Sequence, residues 1–83
     1  MDITVIESKD CGCCKTYRQK INAIADRYGF NIRFIDIDSD DIDLSAYDFK
    51  GLPFTIASDN GENWYFTGDM GESMIKSQLR IEE

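Results

Sequence analysis

The chain has 83 residues, enough for one domain, and its 42% hydrophobic and 30% charged content is that of a globular protein. Its net charge of −7 repels nucleic acid and anionic lipid, and it contains no histidine, which excludes hydrolases that need a histidine base. Any chemistry must come from cysteine, carboxylates, lysine or tyrosine.

The first residues, Met1 to Glu7, carry no basic segment and no long apolar run, so they do not read as a signal peptide. No run of about 18 apolar residues exists to span a membrane. The expectation is one cytoplasmic domain over residues 1–83, monomeric, with neither nucleic acid nor membrane as partner.

Ile3, Thr4, Val5 and Ile6 alternate in a β-branched run, which predicts a strand over 3–7. Residues 8–12 form a loop. From Cys13 to Tyr28 the apolar positions Cys14, Tyr17, Ile21, Ile24, Ala25 and Tyr28 recur in steps of three and four, which predicts one helical face. Gly29 follows where a C-cap glycine belongs. Ile32, Phe34, Ile35 and Ile37 predict a second strand over 31–38.

The acidic stretch 36–43 is read as a solvated loop, and Ser39 to Asp43 as the start of a short helix or turn through Tyr47, with Asp40 or Asp41 as its cap. A third strand occupies 54–57. Asn60-Gly61 is the strongest short hairpin signal, and a fourth strand follows over 63–67. There, Trp64, Tyr65 and Phe66 read as core on one face and half-buried on the other, not as a stacking site for a ligand. Met70, Met74, Ile75 and Leu79 predict a last helix over about 70–80. The order is strand, helix, strand, short helix, strand, strand, helix.

The three cysteines, Cys11, Cys13 and Cys14, fall within four residues. Structural disulfides close long loops; this cluster closes almost nothing, so it reads as a redox or a metal site. Cys11 falls at the predicted helix start, where unpaired N–H groups and the positive dipole end favour a thiolate. Lys9 and Lys15 add to that effect and Asp10 opposes it. Cys14 lies one turn on, within reach of Cys11, and belongs to the apolar face. The expected division is an exposed nucleophile, Cys11, and a buried resolving thiol, Cys14. Cys13 is expected to point off the Cys11–Cys14 axis, toward the exposed side of the first turn. It reads as a tolerated thiol, or else as a third metal ligand or a site for glutathione. Tyr17, one turn after Cys14, reads as packing. Gly51-Leu52-Pro53 opens the third strand with the only proline of the chain.

These motifs resemble those of thioredoxins and glutaredoxins. Cys11-Gly12-Cys13-Cys14-Lys15 is similar to the thioredoxin C-G-P-C-K, with Cys13 in place of proline. Tyr47 to Pro53 resembles Y-G-[IV]-R-[GS]-[IV]-P. The Asn60-Gly61 turn and Gly68 fall at the family's spacing. The resemblance runs over essentially the whole chain. It implies an α/β thioredoxin fold, a four-stranded mixed sheet flanked by helices. It implies a cis Pro53 beside the disulfide, and a site built from Cys11, Gly12, Cys13, Cys14, Leu52 and Pro53.

The implied activity is thiol–disulfide exchange on protein disulfides, ribonucleotide reductase being one such client. The implied electron donor is a reductase or glutathione, with no resident cofactor. Gly68 and Asp69 belong to a segment only partly matching the glutathione-binding one; Lys9, or the N–H groups near Asp69 and Met70 at a helix start, would meet a glutathione carboxylate, although the net charge opposes an anionic tripeptide. Two departures stand out. Asp10 replaces the usual tryptophan, and Val5 replaces the buried aspartate that aids proton transfer, a task left to Glu7 or water. The competing class is a thiolate metal-binding or metal-transfer protein using Cys11, Cys13 and Cys14.

Overall fold

The structure, a computed structural model, describes residues 1–39, 43–45 and 47–81. It contains β1 (Asp2–Glu7), α1 (Gly12–Tyr28), β2 (Asn31–Asp36), β3 (Phe54–Asp59), β4 (Glu62–Thr67) and α2 (Glu72–Gln78). The strands form one sheet in the order β2-β1-β3-β4. β1 pairs with β2 in parallel, while β1–β3 and β3–β4 are antiparallel. The sheet is therefore mixed, as expected.

Side chains alternate across a strand, so each strand offers one row to the helices. Ile3 and Val5 of β1, Ala57 of β3 and Phe66 of β4 form that row's buried part. α1 meets them with Tyr17, Ile21, Ile24 and Ala25, and α2 and its C-cap add Ile75 and Leu79. The face read from the spacing is thus the face that packs. On the opposite side of the sheet Phe54 is fully buried, with Tyr47, Phe49 and Tyr65 around its ring at centroid distances of 5.2–5.9 Å. In β4, Phe66 is core and Trp64 half-buried, while Tyr65 is 43% exposed.

Local signals set the element ends. Gly29 is left-handed, with φ of 72°, and the Phe30 N–H reaches back to the Ala25 carbonyl at 2.8 Å. That is the expected glycine C-cap. Asn60 and Gly61 both have positive φ, 51° and 82°, as the tight β3–β4 hairpin requires.

Three expectations need correction. β2 ends at Asp36, two residues early, because the Asp36 carboxylate accepts the Asp38 N–H at 2.9 Å and turns the chain. α2 covers only 72–78, since Arg80 adopts φ of 61° beyond it. Met74 is 53% exposed and leaves the packed face to Ile75 and Leu79. The short helix expected over 39–47 falls partly on residues 40–42 and 46, which lie outside the described residues, as do its proposed caps Asp40 and Asp41. Ser39, Asp43, Leu44, Ser45 and Tyr47 lie in turns and irregular backbone. Within that stretch the exposed Asp43 carboxyl accepts the Ser45 N–H at 2.9 Å, and its hydrogen bonds with Ser45 hold it below the usual carboxylate range. Among the described residues no helix is long and apolar enough to cross a membrane.

One polar contact crosses the core. The Tyr17 hydroxyl of α1 and the Thr55 hydroxyl of β3 lie 2.6 Å apart, both buried. Burial pushes the Tyr17 hydroxyl up to about 12; the Thr55 hydrogen bond pulls it down, and the Asp69 carboxylate adds to the rise. Tyr17→Phe should therefore strand the Thr55 hydroxyl and cost about 1–3 kcal/mol, measured by urea unfolding at neutral pH. A second outcome concerns alkaline pH. Below pH 10.0 the tyrosine is protonated whether the chain is folded or not. Above it the unfolded chain releases the proton first, so stability falls as pH rises toward about 12. Urea unfolding across that window should show the wild type losing about 2–3 kcal/mol more than Tyr17→Phe.

Candidate active site

β1 delivers the chain to the cysteine cluster, and the loop after it is pinned. The Cys11 N–H donates to the Ser8 carbonyl at 3.1 Å, and the Ser8 hydroxyl donates to Asp38 at 2.7 Å. Cys11 is the N-cap of α1, with extended backbone at φ −94° and ψ 103°. No side chain caps the helix and no acidic residue stands in its first turn. The positive end of α1 is thus left uncompensated beside Cys11.

Cys14 sits one turn inside the helix and is 2% exposed, while Cys11 is half-exposed. The two form a disulfide, with Cα atoms 5.3 Å apart. The pair spans the boundary between solvent and core. Among the described residues no group of three or more Cys, Asp or Glu is arranged to hold a metal ion.

Cys13 is free and exposed, on the solvent side of the first turn as expected; its Sγ lies 3.4 Å from Cys11 Sγ and 4.0 Å from the Leu52 carbonyl oxygen. The sequence did not signal that closeness, because Cys11 lies outside the helix and its side chain does not follow the helical projection.

The Leu52 contact brings a second loop to the sulfurs. Pro53 is buried and the Leu52–Pro53 peptide bond is cis. A third segment joins through backbone: the Gly68 N–H donates to the Pro53 carbonyl at 2.9 Å, with Gly68 at φ 104°, a value that suits glycine. Asp69 next to it is engaged by Lys20 of α1 at 3.0 Å, and the same ammonium donates to the Met70 carbonyl at 2.8 Å. Gly12 opens α1 and is exposed.

A groove of about 470 Å³ runs beside the disulfide, lined by Cys11, Cys14, Lys9, Lys15, Arg18 and Glu7, with Asp36 and Phe34 at its side. It holds three cations against two carboxylates, opposite in sign to the chain as a whole. Local positive charge favours a thiolate. Glu7 and Arg18 form an ion pair at 2.7 Å, and the Arg18 guanidinium lies over the Phe34 ring at 4.2 Å. Arg18 went unnoticed in the sequence, although it stands four residues after Cys14 and so on a neighbouring strip of the helix. Lys20 also went unnoticed, and no local pattern signals it, since its partners are about fifty residues away. Val5 is fully buried.

No family model matches this sequence, and a search of curated proteins returns no match. Solved structures do match. Thioredoxin 1 from the thermophilic eubacterium Thermosipho africanus superposes with a TM-score of 0.80 at 21% identity, over 96% of this chain and 91% of that one. A point-mutant thioredoxin from Halobacterium salinarum gives 0.79 at 21% identity, over 95% and 71%. Fasciola hepatica thioredoxin gives 0.78 at 17% identity, over 95% and 77%. With the strand order and the helix placement, these likenesses establish that the chain has a thioredoxin fold.

Proposed function

We propose that the chain is a thiol–disulfide oxidoreductase that reduces protein disulfides in the cytoplasm, with Cys11 as nucleophile and Cys14 as resolving thiol. One observation carries the reading: a disulfide joins an accessible sulfur at an uncapped helix start to a buried sulfur one turn inside.

The exchange follows from that placement. In the reduced chain the helix end and the cationic groove favour the Cys11 thiolate. It attacks one sulfur of a substrate disulfide, and the other leaves as a thiolate. Cys14 then attacks Cys11 Sγ, the bond to substrate breaks, and the substrate's second sulfur departs with the electron pair. The substrate gains two electrons and the chain closes Cys11–Cys14. A low-molecular-weight dithiol, a flavin reductase or glutathione returns the electrons. Glu7 lines the same groove, ion-paired with Arg18, and is the carboxylate assigned here to draw off the Cys14 proton.

The backbone of Leu52, in the bend before buried Pro53, is the segment assigned to pair with an extended substrate next to the sulfurs. Gly68 fixes that segment through its bond to Pro53. Lys9, on the groove, is the cation for a substrate carboxylate. The Asp69 side chain is engaged by Lys20. The net charge of −7 opposes an anionic tripeptide and favours a protein disulfide as substrate, ribonucleotide reductase being one such client by resemblance.

Insulin with dithiothreitol as electron source tests the reading. The wild-type chain should speed the precipitation of the freed insulin chain, followed by turbidity, and Cys11→Ser should fall to the rate of dithiothreitol alone. Equal turbidity from wild type and Cys11→Ser would remove the reading.

A further inference from the structure

The exchange above leaves one sulfur without a part. Cys13 carries a free, exposed thiol in the first turn of α1. Its Sγ stands 3.4 Å from Cys11 Sγ. Reacting atoms about 3–3.5 Å apart meet the distance condition for a near-attack arrangement. Cys14 approaches Cys11 from the buried face of the helix and Cys13 from the solvent side, beside the Leu52 carbonyl. Cys11 is the N-cap, in extended backbone; its N–H and carbonyl are bonded to Ser8 and Cys14, and both neighbouring sulfurs lie within reach of its side chain.

We propose that Cys13 is a second resolving thiol for Cys11, an inference that rests on Cys11 being the nucleophile. In the mixed disulfide between Cys11 and substrate, the Cys13 thiolate attacks Cys11 Sγ. The Cys11–Cys13 bond forms as the bond to substrate breaks. The departing sulfur takes the electron pair and then a proton, in place of the one Cys13 gave up. Two protein thiols are oxidised and one substrate disulfide is reduced, so no further oxidant enters. Cys14 then attacks Cys11 in turn, releasing Cys13 as a thiol. That second exchange moves the disulfide within the chain without net oxidation. It ends in the arrangement the structure holds, Cys11–Cys14 bonded and Cys13 free beside it.

The test uses dithiobis(nitrobenzoate) as probe, one equivalent per chain, on fully reduced wild type, Cys14→Ser and the Cys13→Ser/Cys14→Ser double variant. Formation of the mixed disulfide releases one coloured thiolate; resolution releases the second. Cys14→Ser should release both, at least about tenfold faster in the second phase than the double variant, as an intramolecular thiol of high effective molarity would. Digestion at Lys9 and Lys15 isolates residues 10–15, and in Cys14→Ser this peptide should be two hydrogens lighter, the mark of a Cys11–Cys13 bond. Cys14→Ala, which keeps an apolar side chain at the buried position, gives the same readout should serine disturb the fold. A wild type that releases both thiolates while Cys14→Ser and Cys14→Ala stop at one overturns the inference and leaves the Cys11–Cys14 reading standing. A wild type that itself stops at one overturns that reading, and the inference with it.

Discussion

The structure turns on the first turn of α1. A helix must begin somewhere, and its first N–H groups have no partner within it. Here no serine, threonine or aspartate side chain satisfies them. A cysteine occupies the cap, and its disulfide partner sits on the helix face that packs against the sheet. The same three-residue step that builds the core therefore carries a sulfur from solvent to interior. Change the register of α1 by one residue and the apolar face and the disulfide would be lost together.

The remainder of the fold holds that turn in place. β1 lies inside the sheet, paired on both edges, and delivers the chain to Ser8 and Cys11. Tyr17 ties α1 to β3 through Thr55, the residue two after Pro53. Gly68 ties β4's end to Pro53, and Lys20 ties the next two residues back to α1. The three loops around the sulfurs are thus linked to α1 or to one another by hydrogen bonds or close contacts. Polar groups in this ring are satisfied: among the described residues no buried side-chain nitrogen or oxygen lacks a partner.

Much of this was legible in the residues alone, because the signals are local. The 3–4 spacing from Cys14 to Tyr28, Gly29 after it, and Asn60-Gly61 between two β-rich runs each encode an element within a few residues. The cysteine pair was legible for the same reason, its two members being one helical turn apart. What escaped was set by distant partners or by side chains acting on the backbone. Lys20 meets a loop at the other end of the sequence. Asp36 ends β2 through its own carboxylate, where apolar spacing would have run on to Ile37. Met74 fits the period of α2, yet that short helix buries only Ile75 within its span, with Leu79 just beyond. The closeness of Cys13 to Cys11 has no local signal, because Cys11 is not yet helical and its side chain does not follow the helical projection.

The central claim is that Cys11 is the sulfur that meets substrate. It is tested most directly by locating the first bond formed. Reduced wild-type chain is mixed with insulin and quenched in acid early in the reaction, and the peptide spanning residues 10–15 is fragmented by mass spectrometry. The insulin chain should be found on Cys11. Finding it on Cys14, or first on Cys13, would contradict the account.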